Sequence, residues 1–429
     1  MTVTVGDTPP AGVTIISLEV TITGAVLQPG NVSLVSSPVT FEMHRLETET
    51  ALLSSLSVPA GTYTSINVTF FKPEITFLNN TGATIMMGGT PCANGAVCEF
   101  NNMPLGQSSV TYSGAPFPIT VAANSALGLL LDVDVLNSLP TNMANMTPVF
   151  TLLNLPARPV TGEFERMDDV VGKVTAKDTA NNQFTLQVTS GVTSLIIKVD
   201  TTPNTGTQFD FSDLGLPNTF ASLAVGQVLE VDLKMMPDRS LLATKVQFED
   251  DDAEEELEGT IVKLNGLTSF DMVLMHESSD VAGIAPGNVV TINLLSGTQF
   301  RVDNGGLPVG GLNFNAAADL MVGQSVEIER KSTPTGTPPT MDTNKIKLKK
   351  SIFTAKVKAK LNSTDFTVDN LPGLFTGISQ IEVRTSTQTE FHNTTGVAAL
   401  VAGDTVSLRG LLFKTLGDPV LVAKKVRKR

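Results

Sequence analysis

Thr207-Gln208-Phe209, Thr298-Gln299-Phe300 and Thr389-Glu390-Phe391 are one signal written three times, each time 91 residues apart. Other landmarks travel with it. Upstream lies a strand opener: Val171-Gly172-Lys173-Val174, Glu258-Gly259-Thr260-Ile261, Thr354-Ala355-Lys356-Val357. A strand beginning with Phe184, Phe270 or Phe366 follows. Downstream, an apolar-Gly turn (Val225-Gly226, Val322-Gly323, Ala402-Gly403) runs into a Val strand. Each unit closes on a strand that sets Lys among apolar residues: Lys245, Lys345 with Lys347, and Lys424 with Lys425. A fixed period of this kind marks a repeated structural unit. Short alternating segments between turn residues mark strands. Five or six such strands per unit fit a small closed barrel, because closure removes exposed strand edges.

Residues 1–157 follow a different pattern. Val3–Val5, Val13–Ile22, Ser33–Met43, Thr64–Phe71, Ile119–Ala122 and Leu129–Val135 read as strands, and Leu46–Leu56 reads as one short helix. The expected fold is all-β. An N-terminal transthyretin/Ig-like β-sandwich with one short helix (1–157) precedes three tandem small β-barrel-like domains at 163–249, 257–350 and 351–429. Pro156–Gly162 and the acidic run Glu249–Glu258 serve as linkers. Calcium at that acidic run is the one cofactor alternative, and the spacing lacks the alternating ligands and central Gly of a calcium loop. No cofactor is expected otherwise.

The N-terminal stretches Val20-Thr-Ile-Thr-Gly24, Pro38-Val-Thr-Phe41, Leu52-Leu53, Val58-Pro-Ala-Gly-Thr-Tyr63 and Leu129-Leu-Leu-Asp-Val-Asp134 resemble an uncharacterised domain found at the front of bacterial secreted lipoproteins. The three repeats resemble a second uncharacterised domain that follows it in tandem. The resemblance implies export to the cell surface, a transthyretin-like sandwich in front and small β-barrels behind. It carries no activity with it. The opening MTVTVGDTPP has neither the leader pattern nor the lipid-anchoring Cys of that family, so a mature chain without its leader is expected.

The 429 residues hold no Trp and two Tyr, so the cores are aliphatic with Phe as the main large anchor. A net charge of −13 argues against a nucleic-acid partner. No apolar run reaches the roughly 18–20 residues of a membrane span, so no transmembrane segment is expected. Cys92 and Cys98 flank a five-residue loop whose Asn94-Gly95 favours a tight turn. In register, the two arms can close a disulfide, which points to an extracytoplasmic home. Two reduced thiols in a cytosolic loop are the alternative.

Chemistry is sparse. His44, His276 and His392 fall in three domains without metal or triad spacing, and each reads as a surface or edge-strand residue. Gly305–Gly311 lacks the helix and Lys of a phosphate cradle. Asp132 and Asp134 read as the solvated face of a strand, and Glu74 could pair with Asp132 for glycoside hydrolysis only if the fold joined them. No enzyme is expected. Charge is more informative. Residues 1–157 carry nine acids and two bases, whereas residues 351–429 carry eleven bases and six acids. An acidic head and a basic tail favour head-to-tail association. Thr2, Val3, Thr4 and Val5 at one end, and Lys424, Lys425, Arg427, Lys428 and Arg429 at the other, are the expected contact elements. The expected role is therefore a non-enzymatic extracellular or cell-surface structural or adhesive protein, as a filament subunit or against a surface polymer. The alternative is a carbohydrate- or ligand-binding lipoprotein module that uses a loop such as Gly305–Phe314.

Overall fold

A computed structural model describes the chain except residues 9–13, 141, 158–161, 189–193, 212–213, 249–255 and 278–282. Most of the Pro/Gly linker and most of the acidic run thus lie outside the described residues. The described chain is almost all strand.

The N-terminal unit is a two-sheet sandwich. One sheet places Thr2–Thr8 between Gly128–Asp134 (parallel) and Ala51–Ser55 (antiparallel), with Phe150–Leu155 at its far edge. The other centres on the long pair Thr14–Gln28 and Ser65–Leu78. Side chains alternate along these strands, so one face of each is buried. Val3, Val5, Leu18, Ile66, Phe77, Leu129 and Leu131 meet in one aliphatic core. The segment Leu46–Leu56 is not a helix. A single 3-10 turn, Arg45–Glu47, leads into the strand Ala51–Ser55. Pairing with Thr2–Thr8 satisfies that backbone, and tertiary pairing overrides weak helical spacing. The only α-helix among the described residues is the four-residue Val135–Ser138, where the Asp134 carboxylate accepts from the Asn137 amide at 3.0 Å. Ser33–Met43 also departs from expectation: it divides into Val32–Ser33 and Val39–Glu42.

Each repeat is a ring of five strands. In the first, Glu165–Asp178 pairs with Gln183–Val188 and with Val228–Met235. Ser194–Val199 and Leu241–Phe248 then close the ring in parallel. The second repeat closes through Thr291–Leu294 against Thr340–Thr343. The third closes through Ile381–Arg384 against Val420–Lys428. The last strand of the second ring and the first strand of the third are one 21-residue strand, Thr340–Lys360. The expected boundary at 350/351 therefore falls inside a strand that the two barrels share.

The Thr-x-Phe triplet has the same job in all three rings. Its residues form a short strand parallel to the closing strand, with Phe209 beside Val246, Phe300 beside Ile346 and Phe391 beside Val426. The threonine hydroxyl donates to a carbonyl of that strand: Thr207 to Ala243 (2.7 Å), Thr298 to Thr343 (3.2 Å), Thr389 to Ala423 (2.7 Å). The opener glycine is a matter of room. A Cβ on Gly172 would lie 2.5 Å from the Gln187 carbonyl oxygen, and one on Gly259 2.3 Å from that of Val273. The variable loop Gly305–Phe314 folds inward, burying Leu307 and Phe314 in the second core, where Phe314 meets Phe300 edge-on.

Candidate functional site

The third barrel sets two cations side by side. Arg409 on Thr405–Phe413 lies opposite Lys425 on Val420–Lys428. Like charges directly across a ladder repel. The other barrels avoid this: Asp232 lies opposite Lys245 in the first, and Glu329 approaches Lys345 at 3.5 Å in the second. The third barrel draws its counter-charges largely from two other domains. Glu49 of the N-terminal sandwich accepts from Arg409 at 2.7 Å and from Lys425 at 2.6 Å. Asp168 of the first barrel lies 2.8 Å from the Lys425 ammonium. Glu390, in the third copy of the triplet, is 4.0 Å from Lys425 and 3.8 Å from Arg166 of the first barrel.

This junction is dry. Lys425 is 1% exposed, and Glu49, Asp168 and Arg409 are also buried. Burial alone disfavours the Lys425 ammonium, but Asp168, Glu49 and Glu390 outweigh it and raise its pKa above the ordinary lysine value. Burial likewise works against a charged Glu49, yet Lys425 and Arg409 hold its carboxyl below the usual range. Glu390 is pulled down to about 2: burial opposes ionisation, and His392, Lys425 and neighbouring cations overcome it.

A second polar cluster adjoins the first. The 3-10 turn at Arg45–Glu47 presents His44 and Glu47 to the third barrel. His44 Nδ1 lies 2.8 Å from Glu47, and the ring also bonds the Ile352 carbonyl. Burial disfavours the imidazolium, but Glu47 and those hydrogen bonds raise the His44 pKa to about 9. Thr354 donates to Glu47 at 2.6 Å, and Arg429 donates to the Glu47 carbonyl and to Ser407. His44 thus sits at a domain junction, where a surface or edge-strand residue was expected.

The remaining expected residues are scattered. Thr2–Val5 pair on both sides within their own sheet, and Val3 and Val5 are fully buried. Lys428 is bound to Asp404 at 2.7 Å, while Lys424 and Arg427 are half-buried on the closing strand. Cys92 and Cys98 are joined by a disulfide. Glu74 pairs with Lys72 at 2.6 Å in one sheet, while Asp132 lies in the other. His276 lies on Ser269–Glu277, and His392 approaches Glu390 at 3.6 Å. Sequence reading missed Glu49, Asp168 and Arg409. No pattern in the residue string marks them, because the register that puts Arg409, and not an acid, opposite Lys425 is set only in the folded sheet.

Further contacts bind the head to the second barrel: Glu99 accepts from Asn288 and from the Val289 amide, and Thr76 donates to the Gly287 carbonyl. Between the sandwich and the third barrel lies a cavity of about 450 Å³. His44, Glu47, Thr354 and Arg429 line it, beside Ile16, Phe353 and Leu371.

The molecule is an all-β multidomain protein: a sandwich and three tandem barrels of one topology. Residues 171–247 and 355–427 match the family described as Domain of unknown function (DUF5666). These stretches coincide with the first and third barrels. The second barrel repeats their strand order outside the matched residues. No curated protein matches the chain. Among the described residues, no helix is long and apolar enough to cross a membrane.

Proposed function

We propose that the protein is a non-enzymatic structural or adhesive protein of the cell exterior, built as a scaffold of four interlocked β-domains. The supporting observation is the use made of its buried charges. Glu49, Asp168, Arg409 and Lys425 are spent on one another between three domains. Buried ion pairs stabilise little in net terms but penalise wrong arrangements, which suits a part that fixes relative domain position. The disulfide favours an oxidising compartment.

The filament form of this reading meets a specific demand. Thr2–Val5 and the backbone of the basic tail are paired within the chain, so polymerisation by strand pairing through them requires exchange: a strand or tail must leave its own fold and enter a neighbour's. Light scattering at high protein concentration, in low and in high salt, tests this. A salt-dependent rise in mass, with fibres in electron micrographs, supports the filament. One monomer mass throughout leaves a monomeric scaffold. Turnover of glycoside, ester or peptide substrates by the purified chain would overturn the non-enzymatic reading.

A further inference from the structure

The cavity between the sandwich and the third barrel has unused binding capacity. At about 450 Å³ it falls within the range of small-molecule sites. Its interior charges are already matched: His44 and Thr354 bind the Glu47 carboxylate, and Arg429 is held by Ser407 and the Glu47 carbonyl. Four other lining side chains are not. Lys356, Asn80, Asn370 and Thr405 have no side-chain hydrogen bond or ion pair to any described residue. They supply one ammonium, two amides and a hydroxyl. Half-buried Leu371 and Leu374 provide apolar wall beside them.

We propose that this cavity binds a small polyhydroxylated organic anion of the sugar-acid class. The unpaired Lys356 ammonium, which lines the same cavity as Arg429, asks for a carboxylate, since a charge-assisted bond is the strongest contact such a site can make. Asn80, Asn370 and Thr405 can each both donate and accept, which matches hydroxyl groups. The leucine wall suits the C–H face of a sugar ring. Asn80, Asn370 and Lys356 are exposed, so the preference comes from added contacts: a purely apolar acid would gain nothing from the amides, and a neutral sugar nothing from the Lys356 charge.

Calorimetric titration of the full chain with glucuronate, and separately with glucose, tests the assignment. Glucuronate is expected to bind saturably, with glucose at least about tenfold weaker, the size of one lost charge-assisted bond. Lys356→Gln should weaken glucuronate by a similar factor and leave glucose unchanged. That side chain is exposed and has no hydrogen bond or ion pair to any described residue, so the variant's unfolding midpoint should match the parent's. No saturable binding of glucuronate, equal affinity for the two sugars, or an unaltered Lys356→Gln variant would each overturn the proposal.

Discussion

Glu49 is the residue on which the domain junction turns. Its carboxylate faces Arg409 and Lys425, and all three are out of water. Removing one partner of such a set leaves charge buried without compensation, at a cost of about 3–5 kcal/mol. Glu49→Gln should therefore lower the unfolding free energy by that order, read from the shift in denaturant midpoint. The double variant Glu49→Leu with Lys425→Met should recover most of the loss, because it removes one charge of each sign and leaves Asp168 and Glu390 with Arg409 and Arg166. A double variant no more stable than Glu49→Gln would show that the junction depends on packing and not on charge balance. None of this is visible in the residue string. Glu49 sits in a stretch that reads as a weak helix, and Lys425 reads as part of a soluble basic end.

At the scale of the element, the Thr-x-Phe strand was legible, and its function was half legible. The 91-residue period announced a repeated unit, and the flanking alternation announced strands. Parallel closure was not announced, because sequence spacing does not report which strand a short segment meets. Closure explains the threonine. Thr207 donates to Ala243 and accepts from the Asp200 amide, while Thr389 donates to Ala423 and accepts from the Ser386 amide. Thr→Val keeps the shape and deletes both bonds. We expect Thr207→Val and Thr389→Val each to cost about 1–2 kcal/mol in urea unfolding. The two losses should add, since the sites lie in separate barrels. A cost near zero at both would mean that the triplet recurs in the three rings for its phenylalanine alone.

For the molecule as a whole, pH should act through the junction. His44 has a folded pKa of about 9 against an ordinary 6.5, so its contribution is complete below 6.5 and is lost as pH rises through about 9. Glu390 runs the other way. Its folded value of about 2 lies under the ordinary 4.5, so its contribution holds above 4.5 and is lost as pH falls towards 2. Glu19, raised to about 7 by burial and by Glu42 and Glu74, gives up its share before His44 does. Thermal unfolding above pH 7 compares the two chains: stability should fall more steeply towards pH 9 in the parent than in His44→Gln, whose remaining slope belongs to other groups such as the Met1 ammonium, lowered by burial. Equal slopes would remove His44 from the junction. The amino-acid order by itself determined the all-β class, the repeat, the aliphatic cores and the opposite charges of head and tail, because periodicity and composition are local properties. Only the tertiary structure decided that head and tail meet inside one chain. That outcome depends on strand register and domain docking, which bring Glu49 and Asp168 to Lys425 across hundreds of residues, and no local pattern encodes such a meeting.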